Sequence, residues 1–312
     1  MRKTLFLFIV IFLLCVGWVS GWYFVANKVE AQIAKVQGQL AKRGRSFDCG
    51  DQQMTGFPFR IGIQCSSVSF QDAGKGIDLK TGALQSAAQI YQPGKSVIEF
   101  NAPLNYALAN AESLEVTWQS MRASVNADLG GLDRLSLVGN DVNVVSDSFK
   151  TKPIRIDELQ LHGRKIGSDD LNLAVRSAEV DTGQPIWPRF NLDATLHLNA
   201  AYSAMIRDPD LIVLAKREGL KGNLQRFDYV SSQGGKISLS GPFEISRNGI
   251  LSGVFDIDAR ELVPILEILQ EFAPEQTKLI DQLKTAAALL GGNTGGAIKL
   301  KVSVKSGDAA IG

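Results

Sequence analysis

The sequence predicts a mainly β protein with a few helices. One N-terminal transmembrane helix comes first. An elongated, curved antiparallel sheet follows, groove-like or taco-like, with a helical segment near the C-terminus. Three observations predict this. Leu5 to Ala26 is an uncharged, almost uninterrupted apolar run. Beyond Cys49, apolar and polar residues alternate repeatedly, the period of half-buried strands. Thirty glycines cut that alternation into short segments.

The apolar run comes first in the chain. It is about 23 residues long, enough to cross a hydrocarbon core of roughly 30 Å. Arg2 and Lys3 precede it and favour an N-in, C-out orientation. Residues 1–26 therefore read as a signal-anchor, with the bulk of the chain outside the cytoplasm. The alternative is secretion after cleavage at Val19-Ser20-Gly21, but Trp22-Tyr23-Phe24-Val25-Ala26 continues the run past that site. Cys15 follows Leu13-Leu14 rather than a small residue, so it reads as an apolar residue of the span and not as a lipidation site. Trp18, Trp22 and Tyr23 suit the outer interface.

Residues 27–45 form an amphipathic stalk. Val29, Ile33, Val36 and Leu40 recur at helical spacing, with Lys28, Glu30, Lys35 and Lys42 between them. Residues 46–312 form the β-rich domain. Cys49 and Cys65 are a disulfide candidate in an oxidising compartment, placed across a hairpin of Ser46–Gln53 with Phe59–Ser66.

Strands follow in turn. Phe57, Phe59, Ile61 and Ile63 alternate with Pro58, Arg60, Gly62 and Gln64. The same period marks Val68/Phe70, Val97 to Phe100, Leu114/Val116/Trp118, Leu135/Leu137, Val142/Val144, Ile154/Ile156, Leu159/Leu161, Leu171/Leu173/Val175 and Leu192/Ala194/Leu196/Leu198. Gly74-Lys75-Gly76, Gln92-Pro93-Gly94, Gly130-Gly131, Gly139-Asn140-Asp141 and Gly183-Gln184-Pro185 are expected turns. Short, regularly spaced strands imply an antiparallel meander. A helix is expected over Pro209–Glu218, capped by Asp208 and stopped at Gly219. Asn248-Gly249 marks a hairpin between Lys236–Ser246 and Ile250–Ala259. A helix runs from Arg260, is interrupted at Pro274 and resumes over Glu275–Leu290. The last strand is Ala297–Lys305.

Gly56-Phe57-Pro58-Phe59-Arg60 after an N-terminal anchor resembles the motif of a bacterial envelope family catalogued as domain of unknown function 2125. The Gly-rich hairpin over Gly234–Asp258, the helical segment and the final strand are similar to that family. They resemble, more loosely, AsmA-like and YdgA-like periplasmic proteins. The chain departs from such families at Gly307-Asp308-Ala309-Ala310-Ile311-Gly312, where they often close on a longer strand. The resemblance implies an inner-membrane, single-pass protein with its bulk in the periplasm. The AsmA-like likeness further implies lipid handling.

The residues themselves suggest no chemistry. The pentapeptide reads as a structural strand start, with a lesser reading in which Arg60 grips an anionic head group. The chain has two histidines, His162 and His197, both on the polar phase. Asp169-Asp170 reads as a turn. Asp256 and Asp258 lie two apart on one strand without a third partner. Trp187 reads as a loop plug. No nucleophile elbow, phosphate loop or zinc motif appears, so the expectation is a non-enzyme without cofactor or metal. A net charge of +1 excludes a basic field for nucleic acid.

The expected partners are the inner membrane and a lipid or other hydrophobic ligand, bound or presented in envelope homeostasis. The alternative is a non-catalytic scaffold or regulator that binds another envelope protein. Phe57, Phe59, Ile61, Val116, Trp118, Leu196, Leu239 and Phe255 are the candidate groove lining, or else ordinary core.

Overall fold

Alternating segments become strands because a pleated chain throws successive side chains to opposite faces. The computed structural model describes residues 2–109, 113–128, 130–146, 153–184, 187–207, 211–272, 277, 280–281, 284–285 and 298–311. It is mostly antiparallel sheet, open rather than closed on itself, with a few helices and a long apolar helix at the N-terminus. Two units can be distinguished: Met1–Gly131 with Val144–Lys150, and Leu132–Asn143 with Thr151–Gly312.

The first unit begins with helix α1 (Arg2–Ala41), which is long and apolar enough to cross a membrane. It runs without a break through residue 26, so anchor and stalk are one element. It ends four residues short of the expected boundary, and Arg45 already belongs to strand β1 (Arg45–Cys49). Then come β2 (Gln53–Thr55), β3 (Arg60–Cys65), β4 (Val68–Asp72), β5 (Ile77–Thr81) and β6 (Leu84–Gln89). They are followed by β7 (Gln92–Phe100), β8 (Leu104–Leu108), β9 (Leu114–Thr117) and β10 (Ser120–Asp128). The long β11 (Gly131–Ser146) is shared between the units.

These strands do not form the expected meander. β1, β4, β5, β8 and β9 make one antiparallel ladder. β2, β3, β6, β7 and β10 make another. The chain passes from one ladder to the other after each strand or hairpin, so the hairpins are joined to one another by partners distant in sequence. Turn residues alone do not show this weave. Two expected turns lie inside strands: Gln92-Pro93-Gly94 opens β7, and Gly139-Asn140-Asp141 sits within β11, where Asp141 has a positive φ. The β6–β7 turn falls instead at Ile90-Tyr91.

The expected Cys49–Cys65 disulfide is present, with Cα atoms 5.2 Å apart. Its hairpin is not the expected one. Arg45–Cys49 pairs with Val68–Asp72, and Gln53–Thr55 with Gly62–Gln64. The bond therefore joins β1 of one ladder to β3 of the other.

The second unit is a meander. Its strands are β12 (Ile154–Ile166), β13 (Asp170–Val180), β14 (Phe190–Leu198), β15 (Leu220–Ser231), β16 (Lys236–Ile245), β17 (Leu251–Arg260), β18 (Ile298–Lys305) and β19 (Asp308–Ile311). Each pairs with the next. Register aligns Leu161, Val175, Ala194, Phe227, Leu239, Ile257 and Leu300 in one row across seven strands. Arg176, Asp193, Asp228, Ser238, Asp258 and Lys299 form a row of the opposite phase. One face is thus apolar and the other charged, the arrangement of an antiparallel sheet wet on one side.

Helices α2 (Tyr202–Arg207) and α3 (Leu211–Glu218) pack on the apolar face through Tyr202, Ala204 and Leu214 against Leu171, Leu198 and Leu220. The sequence did not suggest α2. Asp169 holds its start, its carboxylate accepting from Ser203 N at 2.8 Å. That bond and a second one from Ser203 hold the Asp169 carboxyl below its ordinary range. The expected cap Asp208 and first residue Pro209 of α3 lie outside the described residues. Gly219, with φ +78°, stops α3 as expected.

Helix α4 (Leu262–Phe272) follows β17, with Ile265, Leu266 and Ile268 buried. Ile265 rests on Gly235, where an added Cβ would lie 2.9 Å from its Cγ1. Pro274, the closing glycines and most of the second helical stretch fall outside the described residues. Ser306 and Gly307 both have positive φ and join β18 to β19, the turn that a two-residue hairpin prefers.

Two predictions follow from these ladders. Cys49 and Cys65 are 16 residues apart. Replacing both by serine should lower the unfolding free energy by about 3 kcal/mol, read from denaturant titration at constant slope. Asp72 is buried, which pushes its carboxyl up, but bonds from Lys75 N and the Arg45 guanidinium outweigh this and hold it below its ordinary range. A lowered carboxyl stabilises above its unfolded pKa and loses that effect as pH falls through its folded one. The stability deficit of Asp72→Asn should therefore be full at neutral pH and shrink below about pH 4.

Candidate functional site

The site is built where α1 leaves its apolar run. Trp22, Val25, Ala26, Val29, Ile33, Gln37 and Leu40 are its buried and half-buried positions, spaced three and four apart on one face. Trp22 is only 5% exposed and packs with Ala26 on Ile61 of β3, flanked by Met54, Ala88 and Ile90. The expected stripe is correct at Val29, Ile33 and Leu40. Val36 is exposed, and the stripe extends back to Trp22. Inside an all-apolar run a helical period has no polar residues to reveal it.

The Gly56–Arg60 pentapeptide is the β2–β3 turn, not the start of an extended strand. Arg60 N donates to Gly56 O at 2.8 Å and closes it. Gly56 has φ +100°, and a Cβ there would stand 2.8 Å from the Arg60 carbonyl, so the turn requires glycine. The carbonyls of Pro58, Phe59 and Arg60 are all taken. Trp18 Nε1 donates to Pro58 O at 2.9 Å, Ile90 N to Phe59 O at 3.1 Å, and Trp22 Nε1 to Arg60 O at 2.8 Å. The Phe57 ring meets Trp22 edge-on at 5.5 Å, and Phe59 lies 5.9 Å from Trp18. The turn is thus clasped to α1 by two indoles, yet Phe57 and Phe59 remain 51% and 65% exposed.

Beyond the clasp, α1 and the ladders part to leave a cleft of about 610 Å³. That lies within the size range of small-molecule sites. Phe24, Val25, Val29, Ile33 and Val36 of the helix face Phe47, Ile63, Leu84, Ile98 and the Cys49–Cys65 bridge. Two of the polar residues that border it are engaged elsewhere. Gln37 Nε2 donates to Phe47 O at 3.3 Å, and Ser86 Oγ bonds to the backbone of Ile63. Lys28 stands at the edge, its Nζ 5.6 Å from the Phe24 ring centroid. Such a lining suits hydrocarbon and offers little to a ligand that needs hydrogen bonds.

None of the eight expected lining residues borders this cleft. Phe57 and Phe59 are on the turn and Ile61 is core beneath Trp22. Val116 is half-buried opposite Leu104, and half-buried Trp118 donates from Nε1 to Phe100 O at 2.9 Å. Leu196, Leu239 and Phe255 belong to the apolar face of the second unit, Leu196 packed under α2 and α3. The alternation of Ile63, Leu84 and Ile98 is visible in the sequence, but their convergence depends on the weave of ladders.

The remaining candidates are satisfied within the sheet. His162 Nδ1 lies 2.9 Å from Ser136 Oγ, and His197 Nδ1 lies 2.7 Å from Asn172 Oδ1. Asp256 and Asp258 pair with Lys301 and Arg260. Trp187 meets Phe190 at a tilt, with ring centroids 6.2 Å apart. Burial raises the Tyr229 hydroxyl above its ordinary pKa.

A family model described as uncharacterized protein conserved in bacteria, domain of unknown function 2125, matches residues 22–312. The chain belongs to this family. The match begins at Trp22, so in this member of the family it takes in both the clasped turn and the cleft. Comparison with curated proteins and with solved structures found no match.

The clasp makes a direct prediction. Trp22→Phe keeps the ring but removes the donor to Arg60 O, and should cost about 1 kcal/mol in the urea unfolding of the full chain in nanodiscs.

Proposed function

We propose that this protein is a single-pass envelope protein that holds the acyl chain of a membrane lipid in the cleft between α1 and the first-unit ladders. The observation that carries the reading is the apolar lining of that cleft, in the segment where the helix leaves its apolar run. Exposed apolar surface in water is costly, and hydrocarbon is the occupant that removes the cost without needing polar partners. Lys28 at the cleft edge suits the phosphate of the same lipid. The protein then acts by binding or presenting lipid, without catalysis, on the outer face of the inner membrane.

A second reading, a scaffold for another envelope protein, draws on Ile206 and Ile212, exposed on α2 and beside the start of α3. Photo-crosslinking separates the two. The full chain in liposomes carrying a phospholipid with a diazirine in its acyl chain should give adducts on peptides containing Phe47, Ile63, Leu84 or Ile98. Ile98→Trp, which fills the cleft, should reduce them several-fold. Adducts confined to the first 21 residues would overturn the lipid reading and favour the scaffold.

A further inference from the structure

Two hairpin tips meet beside α1 with their aromatic residues facing outward. One is the Gly56–Arg60 turn and the other the β6–β7 turn at Ile90-Tyr91, tied to the first by Ile90 N donating to Phe59 O. Tyr91 is 69% exposed, beside the exposed Phe57 and Phe59. Three large exposed aromatic rings on adjoining tips are an unusual surface for water to cover.

Their height along the helix can be read from their contacts. Trp18 touches Phe59 and donates to Pro58 O, and Trp18 precedes Ala26, the end of the apolar run, by eight residues. At 1.5 Å per residue that is about 12 Å back into the run. A hydrocarbon core of roughly 30 Å uses nearly all of the run, so it cannot end far before Ala26. A domain standing wholly in water would meet α1 only beyond Ala26, whereas these tips meet it below that point.

We propose that the two tips form a wedge seated in the outer leaflet, with Phe57, Phe59 and Tyr91 among the upper acyl chains and glycerol groups. The occupant of this surface is the phospholipid of the membrane that α1 crosses. The inference rests on the anchored reading of α1 but not on occupancy of the cleft. Aromatic rings with polar edges favour that depth, and Trp18 joins them there.

The charges beside the wedge fit the same placement. Arg60 pairs with Gln89 across β3 and β6, and both border a polar cleft of about 620 Å³ together with Gln85, Lys95 and Glu99. Glu99 is engaged by Arg122. Arg60 follows Phe59 directly and Lys95 follows Tyr91 by four residues, on β3 and β7 with β6 between them, so in the wedge they stand on the side of the lipid phosphates. A guanidinium and an ammonium next to a phosphate plane are favourable partners.

Depth measurement tests the wedge. The full chain with Cys15→Ala carries one spin label at a time, introduced by Phe59→Cys, Gly21→Cys or Lys42→Cys, in phosphatidylcholine–phosphatidylglycerol liposomes. The label at position 59 should be relaxed by oxygen and shielded from aqueous nickel, like that at 21 and unlike that at 42. An aqueous label at 59 with a lipid-embedded label at 21 overturns the wedge and leaves the anchor standing. Aqueous labels at both overturn the anchor and the wedge together. A label at Tyr91→Cys repeats the reading on the second tip, so a folding defect of the Phe59 variant does not decide the outcome.

Discussion

The organisation of the first unit depends on the grip between α1 and the Gly56–Arg60 turn. An amphipathic helix lying on a sheet is free to slide and rotate if only apolar surface holds it, because hydrophobic attraction is non-directional. Two indole N–H groups remove that freedom. Trp18 and Trp22, four residues apart, stand on one side of the helix and donate to Pro58 O and Arg60 O. Their spacing matches the rise of one helical turn to the two-residue step of the chain beneath. Height and rotation are then set together, and the face that includes Val29 and Ile33 is aimed over the ladders.

The cleft is a consequence of that setting. Near Trp22 the helix lies close enough for Ala26 and Ile61 to be buried. Towards Gln37 a side-chain bond to Phe47 O joins the helix to the ladders. The apolar residues between these two attachments face one another across a gap instead of interdigitating. The disulfide floors the gap and ties the ladders at the point where the chain passes between them. A helix held at two places and unfilled between them is a way to keep apolar surface available, since well-packed interiors leave few such voids.

The second unit follows a simpler rule. A row of apolar side chains continues across seven strands and a largely charged row across six, because each antiparallel register keeps like phase beside like. Helices α2 and α3 cover part of the apolar face, and α4 follows the far end of β17. Much of this unit was legible. The alternation over Leu171–Val175, Leu192–Leu198 and Ile298–Val304 names the buried phase, and Asn248-Gly249 marks the hairpin between β16 and β17. Three elements were hidden: β15, for which no strand was expected, β19, which follows the strand expected to be last, and α2, whose six residues carry no period and whose start depends on Asp169, remote in sequence.

The sequence by itself determined the apolar N-terminal helix, the β-rich character, the family, the pairing of Cys49 with Cys65 and the apolar phase of the strands it marked. These are local properties: an uncharged run, a period of two, a short pentapeptide, two cysteines close together. The tertiary structure alone decided which strands of the first unit are neighbours, that the pentapeptide is a turn, and that its aromatic rings meet Trp18 and Trp22. The physical reason is that ladder order is a property of long-range hydrogen bonds, and any strand with the right phase satisfies them equally well on paper. The cleft residues Phe47, Ile63, Leu84 and Ile98 look like core in the sequence. They border open space only because α1 is held away from them by contacts made elsewhere along its length.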